Sequence, residues 1–427
     1  MSEPAPPTAA PAPADATAPF QDTVGDADAS AARAAMVDRL MQSGDLSPGA
    51  VADALLAMPR QRLIPQAYVR RSAPDETPPR WDLLDWSDPV HRPELLRVLY
   101  SGDSVSVQHD GEPLLGRRAG SREGGAMTAM SSVMGMTARL LGQLDLRPGQ
   151  RVLDVGTGAG VTVAAACRIA GDAGVVTIDR DAHVTAAATV RLAAIGHRPV
   201  VVTGDGELGW PERAPYDRVF VSFAVPRVPM ALVEQLAQRG VVLMTVGTSS
   251  PSWPALAVIT KSAAGVVEAE LRAEQFGHRA GWGWDRLSLS AAFRQEMSSG
   301  DGVTSHGHRP PPPDEAHGMW LALDHLHPGL VRAFGAPGLQ IGSPACGSWL
   351  RVSVDGNGTS TITASGPRPI REEIQQTAAR WKAAGEPAFY RLEFDANGTQ
   401  WASSGRGRNR LSWQLTDDRP RTTEDSR

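Results

Sequence analysis

Residues 151–160, RVLDVGTGAG, constrain this chain more than any other stretch. Val152, Leu153 and Val155 form a short apolar run of the kind that suits a buried strand. Gly156, Gly158 and Gly160 follow with no bulky side chain between them, and residues 161–170 then carry a helical pattern. A buried strand, a glycine turn and a helix start make a cradle for a nucleotide-like ligand. Backbone approaches the ligand closely there, and the helix N-terminus offers free N–H groups. The G-x-G-x-G spacing is not the dinucleotide fingerprint G-x-G-x-x-G, which counts against NAD, and no Walker pattern is present.

From that stretch onward apolar runs alternate with helical ones. Strands are expected at 175–178, 200–203, 216–223, 241–246, 255–259 and 266–271, with helices at 182–195 and 230–236 between them. This rhythm implies an α/β domain with a parallel sheet covered on both faces, whose ligands bind beyond the carboxyl ends of the strands. The first strand carries Asp154 and ends in the loop of Gly156, Thr157, Gly158 and Gly160. Asp154 is read chiefly as an anchor accepting backbone N–H bonds. Asp179, followed by Arg180, ends the second strand and suits both hydroxyls of a ribose. Asp205, between Gly204 and Gly206, ends the third and could meet an adenine edge. Ser222 on the fourth faces the same cleft. The set points to an adenosine-containing cofactor.

Around this core, composition suggests the remaining organisation of the 427 residues. Residues 1–30 are Pro/Ala/Asp-rich and read as a disordered tail. Residues 31–145 read as a helical, substrate-side region, with an ordered loop over 72–95 and a hairpin over 96–108. In it the hydroxyls Thr128, Ser131 and Ser132 precede an amphipathic helix at 134–144. The core is expected over 146–299. A Pro/His/Gly linker follows over 300–318, then a separate small α+β domain over 319–415 and a mobile tail over 416–427. A net charge of −5 and the absence of a basic stripe give no reason to expect nucleic-acid or membrane binding. Two cysteines exclude a disulfide framework, the N-terminus has no signal-peptide pattern, and the cytoplasm is the expected compartment. Cys167 reads as inert core. Arg70-Arg71 and Arg117-Arg118 read as solvated faces. His306-x-His308 and His325-x-His327 read as a loop and a helix end, so no metal site is expected.

Four segments carry a family resemblance: MPRQRLIPQAYV, LDLRPGQRVLDVGTGAGVTVAAAC, VVTIDRD and TGDGELGWPERAPYDRVFVSFAVPRVPMALVEQLAQRGVVLMTVG. Together they resemble S-adenosylmethionine-dependent methyltransferases, and more closely protein-L-isoaspartate O-methyltransferases, over roughly residues 45–260. The resemblance implies a Rossmann-like class I fold, S-adenosylmethionine as cofactor, and a substrate carboxylate attacking its methyl group. It also implies a carboxylate-orienting serine, which falls at Ser132 with Ser131 and Thr128 close by. This chain reads SSVMGM there, without the family's proline. It departs again at EQFGHRAGWGWDRL and continues well beyond the family's usual length. Longer relatives of this kind are associated with lanthipeptide and graspetide biosynthesis. They esterify an aspartate of a constrained peptide, which then closes to an aspartimide. The expected activity is therefore methylation of a peptide aspartate, with the C-terminal domain recognising the peptide. Isoaspartate repair of proteins is the alternative, and a non-catalytic, cofactor-binding peptide-recognition protein is the reading from another class.

Overall fold

The computed structural model describes residues 23–73, 76–247, 255–274, 291–335, 338–354, 359–395 and 397–416. The N-terminal part contains α1 (Thr23–Gln42), α2 (Ala50–Ala57), α3 (Arg60–Leu63), β1 (Gln66–Arg70) and β2 (Arg80–Asp85). It continues with α4 (Arg92–Tyr100), β3 (Val105–His109), β4 (Gly120–Glu123), β5 (Met127–Ser131) and α5 (Met134–Leu144). Three expectations change here. Helix α1 reaches back into residues assigned to the tail, because Ala29, Met36 and Val37 bury against α2 and its neighbours. Asp26 in its first turn also accepts hydrogen bonds from Gln61 and Arg62. Residues 72–95 are not a loop throughout: β2 pairs with β1 from Gln66↔Asp85 to Arg70↔Trp81. The 96–108 hairpin is instead the end of α4 followed by β3. Residues 31–145 therefore form a five-stranded antiparallel sheet, ordered β4-β2-β1-β3-β5, with helices packed beside it. The composition misled at β2 and β4, which are partly exposed and rich in charge and so carry little hydrophobic periodicity. Arg117 is also no solvated face. It is buried, pairs with Glu112 at 2.7 Å and donates to Gln66. Arg71 pairs with both Asp82 and Glu94.

The core begins with β6 (Val152–Val155), α6 (Val161–Ala170), β7 (Val175–Asp179), α7 (Ala182–Ala194) and β8 (Val200–Thr203). It goes on through β9 (Tyr216–Val225), α8 (Met230–Glu234), β10 (Leu236–Val246), β11 (Ala255–Lys261) and β12 (Val267–Arg272). Strands β8-β7-β6-β9-β10 lie side by side and parallel; β11 and β12 continue the sheet antiparallel. Successive side chains of a strand face opposite ways. Val152, Val175, Phe220 and Leu243 pack with α5, α6, α7 and the N-terminal helices. Leu153, Val176, Val219 and Val242 pack on the other face, the side of α8. This is a Rossmann-like, doubly wound sheet with its order reversing between β6 and β9.

The C-terminal part holds α9 (Ala291–Ser299), β13 (Val303–His308), α10 (His317–Leu326), β14 (Val331–Gly335), β15 (Gly338–Ser343) and β16 (Ser348–Val354). After these come β17 (Ser360–Ser365), α11 (Ile370–Ala383), β18 (Phe389–Phe394), β19 (Gln400–Ser404) and β20 (Leu411–Leu415). The expected linker over 300–318 is corrected: it contains β13, which pairs with β17, and it supplies the first turn of α10. The expected separate domain over 319–415 is corrected as well. Its strands β13-β17-β16-β15-β14 form their own antiparallel sheet, but β18, β19 and β20 extend the core sheet through β12, with Leu271↔Tyr390 in register. Helix α10 is apolar on two sides. Met319, Trp320 and Leu323 enter the small sheet's core, while Leu321 and Ala322 enter the large one. Gln400 on β19 clamps the backbone of Val228, accepting from its N–H at 2.9 Å and donating to its carbonyl at 2.7 Å. Residues 1–22, 275–290 (with Trp282 and Trp284) and 417–427 lie outside the described residues.

Candidate cofactor and substrate site

The site is built at the carboxyl ends of β6, β7, β8 and β9, where the strand order reverses. Gly156 leaves β6 with a φ of 92°, and a Cβ there would stand 2.4 Å from Ser222 Oγ. Ser222 uses its hydroxyl to donate to the carbonyls of Gly156 and Val155 at 2.7 and 3.1 Å. It therefore holds the loop down while the half-exposed side of β9 faces the cleft. Gly158 has a φ of 49°, and a Cβ there would meet the Met130 carbonyl at 2.9 Å. The end of β5 thus lies directly on the glycine loop. Gly160 starts α6 beside Leu63 of α3.

Asp154 and Thr157 lie beneath this loop. Asp154 accepts from the hydroxyls of Thr162 at 2.7 Å and Thr177 at 2.8 Å, and Thr157 is bonded to Thr177 at 2.7 Å. Both are buried. Asp154 is an anchor, but through hydroxyls rather than the backbone N–H groups expected of it. Burial pushes its carboxyl up to about 7.

Asp179 ends β7 with one oxygen accepting from Gly158 N at 3.1 Å and the other from Asp181 N at 3.1 Å. Burial raises its pKa, and the two backbone donors oppose the rise. Each carboxylate oxygen keeps a second lone pair, so a ribose can still be held in a bidentate way. Arg180 is exposed beside it. Asp205 is exposed at the end of β8 and caps the turn over Gly206–Leu208 by accepting from Glu207 N. Gly204 precedes it, and Gly206 packs against Val155. These residues fit an adenosine-containing cofactor. The glycine loop allows close backbone approach, Asp179 offers carboxylate lone pairs beside it, and Asp205 stands one strand further out.

The three candidate hydroxyls sort by their partners. Thr128 donates to Gln108 Oε1 at 2.8 Å and accepts from Gly111 N at 3.0 Å, while Gln108 Nε2 donates to Asp181 at 2.8 Å. This chain of bonds ties β5 to the start of α7, which Asp181 caps. Ser131 is buried and accepts from Arg60 at 3.2 Å. Ser132 is half-buried, and no described residue takes its hydroxyl. Gln108 and Arg60 escaped the sequence reading. Arg60 stood inside MPRQRL, but nothing in that motif shows which way a side chain points.

Away from the site, Cys167, Asp172 and His197 bring one potential ligand atom each within 4.8 Å of one another. Asp172 is already engaged there by His197 at 2.9 Å and by the backbone of Arg198. Among the described residues no helix is long and apolar enough to cross a membrane.

Residues 123–275 match the family model of protein-L-isoaspartate(D-aspartate) O-methyltransferase. This stretch is protein-L-isoaspartate O-methyltransferase-like. The methyltransferase-like stretch is 40% identical over 119 residues to a protein-L-isoaspartate O-methyltransferase of Methanococcus maripaludis, covering 27% of this chain and 56% of that one. One from Ignicoccus hospitalis is 29% identical over 238 residues, 55% of this chain and 91% of its own. One from Methylorubrum populi is 46% identical over 112 residues, 26% of this chain and 52% of its own. The chain thus spans about half the length of the first and third of these relatives. A solved protein-L-isoaspartate O-methyltransferase overlays with a TM-score of 0.47 at 19% identity, covering 86% of this chain and 98% of that one.

Proposed function

We propose that this chain transfers a methyl group from S-adenosylmethionine to the free carboxylate of an isoaspartyl residue in a protein or peptide. The observation that carries the reading is the contact of the Met130 carbonyl with Gly158. It sets the hydroxyl-bearing end of β5 against the loop that would cradle the cofactor. Asp179 would hold the ribose hydroxyls and Asp205 the adenine edge. When bound, the cofactor supplies an electrophilic methyl group on a cationic sulfur, a good leaving group. A carboxylate oxygen forms the new O–C bond as the C–S bond breaks, giving a methyl ester and S-adenosylhomocysteine; no proton has to move. The protein's work is alignment and exclusion of water. Ser132, with its hydroxyl uncommitted, would orient the attacking carboxylate, while Ser131 and Thr128 hold the segment in place.

A second reading, esterification of an aspartate in a ribosomally made peptide on the way to an aspartimide, is favoured by one feature. Strands β18, β19 and β20 widen the core sheet, and a further sheet rides on α10. The family match names isoaspartate, so this reading stands second. Methyl-labelled cofactor offered with an isoaspartyl peptide, its aspartyl counterpart and a cyclic aspartyl peptide separates the two. Base-labile label on the isoaspartyl peptide alone is the expected result. Label on the cyclic peptide alone would install the second reading. Cofactor binding by calorimetry with label on none would leave a non-catalytic binding protein.

A further inference from the structure

Arg60 is 1% exposed and sits at the start of α3, beneath the end of β5. Its guanidinium donates to Ser131 Oγ at 3.2 Å and contacts the Met134 sulfur, and its Nε has no partner. Among the described residues it has no ion-pair partner. The phenol nearest it, Tyr100, accepts from Arg60 N and donates to Gln61; burial keeps it neutral by raising its pKa. Burial also pulls Arg60 down to about 10, still charged at neutral pH. A buried cation without an anion is costly unless something compensates it. Arg191 is likewise buried, but its guanidinium donates to the Leu114 carbonyl, away from β5. Arg60 instead points at Ser131, next to Ser132, whose hydroxyl no described residue takes, on the segment that touches the glycine loop.

We propose that Arg60 is a positioning residue whose uncompensated charge is completed by the substrate carboxylate, acting through Ser131 and the backbone around Ser132. This rests on the carboxyl-methyltransferase reading above. A charge in a low-dielectric interior projects a potential that solvent screens little. Ser131 Oγ accepts from Arg60 and directs its own hydrogen at the Ser132 carbonyl over a long 3.4 Å, a weak bond that an arriving anion can replace. Standing one layer back has a chemical advantage. The carboxylate loses its negative charge as it takes the methyl group, so a cation touching it would hold the ground state more tightly than the transition state. A cation behind a hydroxyl helps capture the carboxylate with less cost to the chemical step.

The test compares wild type with Arg60→Met and Arg60→Lys. It reads turnover of an isoaspartyl peptide, competitive inhibition by its neutral isoasparaginyl analogue, affinity for S-adenosylhomocysteine, and thermal melting. In Arg60→Met the KM for the isoaspartyl peptide rises tenfold or more while kcat stays level or rises. The analogue's inhibition constant and the S-adenosylhomocysteine affinity change less than threefold, and the melting temperature is unchanged or higher. A merely structural arginine would give the reverse: lower melting and parallel loss for charged and neutral peptides. That result, or an unchanged KM, overturns the proposal. Should Arg60→Met not fold, Arg60→Lys carries the test. It keeps the preference for the charged peptide within threefold, and its loss overturns the assignment to charge. A wild type that binds cofactor but methylates no peptide overturns the functional reading and this inference with it. Turnover with unaltered charge preference in Arg60→Met overturns the inference alone.

Discussion

Two buried arginines show how differently the two ends of this molecule are built. Arg332 on β14 is paired with Asp324 of α10 at 2.7 Å, both side chains being sealed from solvent, and its guanidinium lies over the Trp320 ring at 5.1 Å. Arg60 is just as deep and has no carboxylate partner among the described residues. The C-terminal arginine is matched inside the fold, which is what a structural charge requires. The N-terminal one is left open on the side where a substrate carboxylate is proposed to arrive. The same contrast holds for the nearby polar groups. At the glycine loop Asp179 keeps lone pairs to spare and Ser132 an uncommitted hydroxyl. In the C-terminal part, Gln400 on β19 and Asp324 on α10 are spent on neighbours within the protein. Variants at the C-terminal end should therefore change stability, and variants at the loop should change binding or rate.

The largest effect expected is from Asp324→Ala, which removes the partner of a buried arginine and should cost about 3–5 kcal/mol of stability in denaturant unfolding. While the variant is folded, its cofactor affinity should match wild type; a large loss of affinity would break the contrast. Asp179→Ala should weaken cofactor binding about a hundredfold by calorimetry, since two hydrogen bonds to a carboxylate are lost. Ser132→Ala should lower kcat about tenfold, about 1.4 kcal/mol, with cofactor affinity kept. An equal loss in Ser131→Ala with none in Ser132→Ala would reverse the roles given to the two hydroxyls.

A pair of opposite pH dependences completes the comparison. Asp154 holds its proton more tightly when folded, so its contribution is complete below about pH 4 and is lost as pH rises to about 7. His325 is the reverse. Its Nε2 is shut off from solvent, the ring stacks on Trp413 at 5.1 Å, and burial lowers it to about 3. Its contribution is complete above about pH 6.5 and is lost as pH falls toward about 3. Denaturant midpoints across this range should lose the first slope in Asp154→Asn and the second in His325→Phe. The same slope surviving in both variants would show that neither group sets it.

The strand ends of the core were more legible than their surroundings. The loop over 156–160, Asp179, Asp205 and Ser222 all stand at strand ends because a parallel sheet brings the ends of its strands to one edge. Strand order and period can be read locally. The antiparallel sheet over 66–131 and the true course of 300–318 were not legible. Half-exposed strands such as β2, β4 and β13 carry polar residues whose pairing partners lie far away in the chain. Separation by composition also misled for 319–415. A Pro/His/Gly stretch looks like a linker, yet β18 still finds the free edge of β12.

By itself the sequence determined the α/β core, the glycine loop and the acidic residues that follow it, since each depends on patterns within a few residues. Only the tertiary structure decided which of three neighbouring hydroxyls no described residue takes. It alone showed that Asp154 and Thr157 lie under the loop, and that Arg60 is buried with no carboxylate beside it among the described residues. Those are properties of what surrounds a side chain, and its surroundings come from residues tens to hundreds of positions away.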